Sequence, residues 1–331
     1  MSDVMTRALT KAGADGLHEA AAAARAGRGS PSSPSFYDDV GKYIGAVPAP
    51  VRSIVDYYRM DGSSSVLVLS GLRVDAAGCG RTPLSWQEAL ADARQEQEEA
   101  QLALLAALLG EPFAWHTIQH GRMVQNLVPM EKERTAQSGH GSVALEWHTE
   151  DGFHEQRCRY LLLLGIRNPD EVPTTVASIR GVDLSEGHRA VLVQPRFLIR
   201  PDPEHLRHLA TVSPGSEALR RAREMHDHPE PVAILFGRPD DPHLRIDAPY
   251  TTPVPGDREA AEALAAVVEQ LEVAQRDVVV REGDVLILDN YRVVHGRRAF
   301  EPRFDGTDRW LKRISVRGRT GSLVTGGSRV V

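Results

Sequence analysis

The chain has 331 residues, enough for one large domain or two small ones, with 41% hydrophobic and 25% charged residues. Its 39 basic and 45 acidic residues leave a net charge of −6, and only 5% are aromatic, a poor match for nucleic acid or an anionic membrane surface. No apolar run approaches the ~20 residues of a membrane span.

In chain order, Ser2 to Ala26 is Ala-rich and helix-prone, either a flexible arm or a packed helix, and the Gly/Ser/Pro stretch 27–35 breaks it. Pro48 opens a short helix that Gly62 and the serines after it stop. "SVLVLSGLRV" (65–74) is the first clear strand. The strongest helix covers 83–112: Ser85 caps it, Glu88 stands three residues on as in a capping box, and Gly110 with Pro112 ends it. Its charge run reads as a solvated middle. Beyond Gly110 come many short β-type runs, separated mostly by Gly, Pro, Asp and Asn and interrupted by one helix over 257–275. Such spacing predicts a sandwich or barrel. One mainly β domain over 1–331 is expected, with a helical or flexible segment at 1–62 and a β core with helices outside it at 63–331. Cys79 and Cys158 show no CxxC spacing and read as reduced thiols of a cytoplasmic protein. The opening residues lack the apolar core of a signal peptide.

The chemistry gathers in "LEWHTEDGFH" and "DVLILDNYRVVHGRRAF". On a strand that continues through them, His148 and Glu150 share a face. His295 closes a second apolar strand ahead of a glycine. Two imidazoles and a carboxylate make the facial triad that leaves open positions on non-haem Fe(II), and the same set also fits catalytic zinc. Arg309 and Arg313, four residues apart, fall on one face of the next strand, each offering a guanidinium fork to a carboxylate. Trp147 faces away from His148 into the core.

These segments, with "RYLLLLGIRN", "TTVAS", "ILFGRPDDPHLRID" and "PRFDGTDRWLKR", resemble the clavaminate synthase-like Fe(II)/2-oxoglutarate oxygenases, in particular the bacterial hydroxylases of free arginine, asparagine and lysine. The resemblance covers most of 119–316. It implies a double-stranded β-helix (jelly roll) with buttressing helices. Iron would sit on His148, Glu150 and His295. 2-Oxoglutarate would be held by Arg309 and by Thr174 or Thr175. A free L-amino acid would lie against Arg313, Asp247, Gln119, Ser138 and Glu150. O2 and 2-oxoglutarate would become succinate and CO2 while an unactivated β or γ C–H is hydroxylated, a chemistry of specialised metabolism such as antibiotic biosynthesis. Desaturation, cyclisation or oxidation of a carrier-bound amino acid would use the same site. A zinc-dependent jelly-roll hydrolase and a non-catalytic metal-binding module are the readings of another class. The glycines of "QSGHGS" suit a hinged lid. The chain departs from the arginine and lysine hydroxylases where their Asp-x-Asp reads Asp247-Ala248-Pro249. One carboxylate in place of two favours a smaller cation, a neutral ureido or amide group, or a cyclic amino acid over arginine.

Overall fold

A computed structural model describes residues 3–212, 214–318 and 329–330. The chain is mainly β with flanking helices, and its strands form two principal sheets. The larger contains β1 (Val4–Ala8), β2 (Val66–Ser70), β3 (Gly110–Phe113), β4 (Gln125–Leu127), β6 (Tyr160–Arg167), β13 (Val285–Asp289) and β15 (Trp310–Gly318). The smaller is ordered β12 (Arg276–Val279), β7 (Pro173–Ser178), β14 (Val293–Arg297), β5 (Leu145–His148). Two hairpin-like pairs complete the set: β8 (Phe197–Ile199) with β11 (Thr251–Pro253), and β9 (Leu235–Arg238) with β10 (Asp241–Leu244).

Side-chain alternation along each strand explains the layering. Leu161, Leu163, Leu286, Leu288 and Leu311 from the larger sheet meet Val176 and Val293 from the smaller in one buried cluster. The alternate residues Leu162, Leu164, Ile287 and Ile314 face outward onto α1 (Lys11–Arg28), α3 (Ala49–Asp61) and α5 (Glu96–Leu109). On the other side, Trp147, Ala177 and Val294 face α6 (Glu186–Leu192) and α9 (Arg258–Val273). Trp147 is thus core, opposite His148.

Several expectations change. Of the two readings of the N-terminal stretch the packed helix holds, with a strand ahead of it: Val4–Ala8 pairs in parallel with β2, and α1 and α3 join the main core. The long helix over 83–112 is two helices, α4 (Trp86–Leu90) and α5, interrupted at 91–95. Ser85 caps α4 by accepting from the Glu88 N–H, while the Glu88 carboxylate accepts from the backbone of Leu84. Helix α5 has no solvated middle, for Glu98, Glu99 and Gln101 are buried with its leucines. Each fully buried leucine contributes on the order of 2 kcal/mol; the Glu99 charge is tolerated because it is paired, while the Glu98 carboxyl accepts from the Asp75 N–H and is pushed up by burial. Lys312, 0% exposed on β15, donates to Glu99 at 2.7 Å, and Arg122 donates to both Glu99 oxygens.

Beyond Gly110 not every apolar run is a strand: 190–199 begins inside α6, and 113–118 is strand only through Phe113. Two helices that the sequence reading lacks, α7 (Pro203–Val212) and α8 (Glu217–Asp227), follow β8. A further short helix, α2, spans Gly41–Ile44. No described helix is long and apolar enough to cross a membrane.

Candidate active site

The site opens where β5, β14 and the start of β15 converge. His148 and His295 are register partners across β5 and β14, with ring centroids 4.1 Å apart. Gly296 lets the strands close: a Cβ there would stand 2.4 Å from the Leu145 carbonyl oxygen. Glu150 reaches the same point by a route the alternation argument missed. Strand β5 ends at His148, Thr149 turns away to the Ile246 carbonyl, and Glu150 sits in a turn. Asn290 pins that turn, accepting from the Glu150 N–H at 2.7 Å and donating to its carbonyl at 3.0 Å.

Ligand atoms of His148, Glu150 and His295 lie within 4.8 Å of one another, the cluster of this kind found among the described residues. A Glu150 carboxylate oxygen is 3.5 Å from His295 Nε2 and 4.0 Å from His148 Nε2. His148 Nδ1 faces the Glu146 carbonyl at 2.9 Å, so that Nδ1 carries the proton and Nε2 offers its lone pair to the centre. Burial, then the neighbouring His295, lowers His148 to about 3, so the ring stays neutral and able to ligate. Burial alone would raise the Glu150 carboxyl, but Arg313 and the two imidazoles hold it well below the usual range. A neutral imidazole beside a permanent carboxylate is the donor set a divalent cation requires.

Two cavities meet at this triad. The first runs to Arg309, which is buried and donates to the Thr174 hydroxyl at 3.2 Å. No carboxylate among the described residues pairs with it, its Nε has no partner, and burial followed by the nearby Arg297 lowers it to about 9. Such a buried cation is costly unless an anion enters beside it. Thr174 lines this cavity; the Thr175 hydroxyl lies against Gly296 instead.

The second cavity is acidic. Glu146, Asp151, Asp202 and Asp247 line it with Glu150, and its wall also includes Ser138, His205, Pro249, Tyr250 and Arg313. Burial, then Asp202, pushes the Asp247 carboxyl well above its ordinary value. Arg313 stands between the cavities, donating to Glu150 at 2.5 Å and twice to the Gln125 side-chain oxygen at 2.8 and 2.6 Å. Ser138 bonds Glu133 at the rim. Gln119 has a different task from the one expected. Both ends of its amide are spent on the Asn126 backbone, and it stands outside both cavity linings. Asn290, Gln125, Arg297 and Asp202 escaped the sequence reading. Nothing local marks them, because their partners lie far away in the chain or arrive on helices and loops.

The comparisons agree with this geometry. The model of the taurine catabolism dioxygenase TauD, TfdA family matches residues 91–315. An enduracididine beta-hydroxylase of Streptomyces hygroscopicus is 39% identical over 298 residues, covering 87% of this chain and 86% of that protein. An L-ornithine/L-arginine 3-hydroxylase of Catenulispora acidiphila is 33% identical, covering 82% and 81%. The solved structure of the non-haem iron oxygenase OrfP with Fe, succinate and (3S)-hydroxy-L-Arg superposes with a TM-score of 0.91 at 34% identity, over 98% of this chain and 99% of that one. A His-Glu-His cluster, buried at Glu150 and His295 and half-buried at His148, and flanked by a buried arginine, therefore occurs with whole-chain likeness to iron-dependent amino-acid hydroxylases, and the chain belongs to the TauD/TfdA dioxygenase family.

Proposed function

We propose that the chain is a single-domain, cytoplasmic Fe(II)/2-oxoglutarate-dependent hydroxylase of a free L-amino acid with a cationic side chain, acting at its β or γ carbon. One observation carries the reading: a His-Glu-His triad stands between a buried arginine with no anion beside it among the described residues and a cavity rich in carboxylates. The core strands support a double-stranded β-helix, since β4, β5, β6 and β7 alternate between the sheets in chain order, as do β12, β13, β14 and β15.

His148, Glu150 and His295 would hold iron, which supplies the activation of O2 and of the C–H bond. The protein's own residues do the rest. Arg309, with the Thr174 hydroxyl, receives the far carboxylate of 2-oxoglutarate, and its low-dielectric surroundings make that ion pair strong. Arg313, held in orientation by Gln125 between the two cavities, receives the carboxylate of the amino acid, and Glu150 and Ser138 border the α-amino position. Asp247 and Asp202 present two carboxylates to the far end of the second cavity. Asp202, contributed just ahead of α7, supplies the charge that Pro249 removes from the expected acidic pair. An arginine-like or cyclic guanidine side chain therefore fits, in line with the substrates named for the enduracididine and ornithine/arginine hydroxylases.

The test is anaerobic loading with Fe(II) and 2-oxoglutarate, then O2 with a panel of amino acids, following succinate and product mass. Succinate release stimulated by a cationic amino acid, with a mass gain of one oxygen, is the expected result. Loss of two hydrogens would instead identify a desaturase. Stimulation by neutral amino acids alone would overturn the cationic assignment.

A further inference from the structure

Helices α7 and α8 stand apart from the rest of the fold in how they are packed. Leu206 and Leu209 of α7 meet Leu219 and Ala222 of α8 in a small cluster of their own, separate from the clusters that unite sheets and flanking helices. Yet this helix pair follows directly on Asp202, which lines the amino-acid cavity. Among the described residues no apolar cluster joins the pair to the body, so its polar contacts carry weight.

Among the described side chains of α7, His205 makes the polar contacts with the body. Its Nδ1 lies 2.7 Å from the Thr117 hydroxyl, and its Nε2 lies 3.3 Å from an Asp151 carboxylate oxygen. With Thr117 donating to Nδ1, the Nε2–H donates to Asp151, and the roles of both ring nitrogens are satisfied. The other Asp151 oxygen accepts from Trp115 Nε1, and Phe153 packs its ring 5.1 Å from that of His205. Asp151 adopts a left-handed backbone (φ 53°) immediately after Glu150, which turns its carboxylate back toward Trp115 and α7.

We infer that His205 is a positioning residue that latches the α7–α8 pair, and with it Asp202, over the amino-acid cavity through Asp151 and Thr117. Because Asp151 is joined to Glu150, the latch also ties closure over the substrate to the turn that carries an iron-ligand candidate. The inference deepens the proposed function, and its consequence for substrate rests on that reading; the latch itself does not.

His205→Leu keeps much of the volume and removes both polar contacts. In metal-free protein, amide exchange in α7 and α8 is expected to speed up by about tenfold or more, while β6, β13 and β15 keep their protection. In the Fe(II)/2-oxoglutarate enzyme with L-arginine as probe, KM is expected to rise by about tenfold, more than kcat falls, and succinate to exceed hydroxylated product. Thr117→Val, which leaves the Asp151 contact, should give a smaller change of the same kind, and His205→Gln should recover part of the loss. Unchanged exchange of α7 and α8 in both His205→Leu and Thr117→Val overturns the latch. Should His205→Leu also lose protection in the sheets, Thr117→Val decides by the same criterion. Failure of the wild-type protein to act on any cationic amino acid would overturn the substrate reading, whereas the exchange comparison, made without metal or substrate, judges the latch alone.

Discussion

Arg309 is a cation buried without an anion, and that imbalance has a measurable consequence. The side chain is 7% exposed and its charged form is disfavoured by burial. Removing an unpaired buried charge relieves the fold. Arg309→Met should therefore raise the unfolding midpoint of the ligand-free protein by about 1–4 °C. The same change should cost about 10²-fold or more in 2-oxoglutarate affinity, since it strips the partner from a desolvated carboxylate. Thermal unfolding and a 2-oxoglutarate titration of Mn(II)-loaded protein check both halves. A variant that is both less stable and unaltered in affinity would show Arg309 to be structural. At this scale the sequence was informative wherever chemistry is rare: His148, Glu150, His295 and Arg309 all meet at the site. The reason offered for Glu150 was incomplete, because a turn pinned by Asn290 takes over from strand alternation after His148. Gln119 shows the converse limit, for a glutamine near the right place in the chain is used by a neighbouring backbone.

Strand β15 and helix α5 show how an element carries the site on one face and its support on the other. Arg313 faces the cavities, while its neighbour Lys312 points the opposite way, to Glu99 at 2.7 Å and the Asn126 side-chain oxygen at 2.7 Å. That oxygen also accepts from Trp310, and Glu99 is further held by Ser32 and Arg122. Burial pulls the Lys312 ammonium down; it would raise the Glu99 carboxyl, but Lys312 and Arg122 hold that below its ordinary value. One buried network thus joins the segment between α1 and α2, α5, β4 and β15, and sets the height of Arg313. Lys312→Met should destabilise by about 3 kcal/mol because Glu99 loses a buried partner, and Glu99→Gln/Lys312→Met together should cost less than the sum of the single changes. Chemical denaturation of the four proteins measures the coupling; strict additivity would mean that the two residues do not act as a pair. Charge runs on helices are usually solvated, and the sequence reading followed that rule. It failed because Glu99 and Lys312 are 213 residues apart, a separation that local patterning does not register. The two helices α7 and α8 were missed for a related reason: among the described residues their apolar side chains form a small cluster of their own.

On the scale of the whole molecule, the triad is assembled by the fold, not by a metal. His148 and His295 are placed by β5–β14 pairing, the Glu150 turn is pinned by Asn290, and Asn290 also donates to the Cys158 carbonyl at 3.0 Å on the chain leading into β6. Every ligand candidate has an anchor that would persist after chelation. This separates the chain from small metal-dependent folds, where binding free energy is folding free energy. Metal-free protein should keep its β-sheet circular dichroism and unfold in a cooperative transition. Mn(II) at about a hundred times its Kd should add about 2.7 kcal/mol, a rise in midpoint of roughly 3–8 °C, with a further rise when 2-oxoglutarate is added. In Arg309→Met the first rise should remain and the second disappear, since the far-carboxylate anchor is not one of the metal-ligand candidates. Loss of the cooperative transition on chelation would mean that the sheets depend on the ion. A second rise that survives in Arg309→Met would place the cosubstrate away from the cavity between Thr174 and the triad.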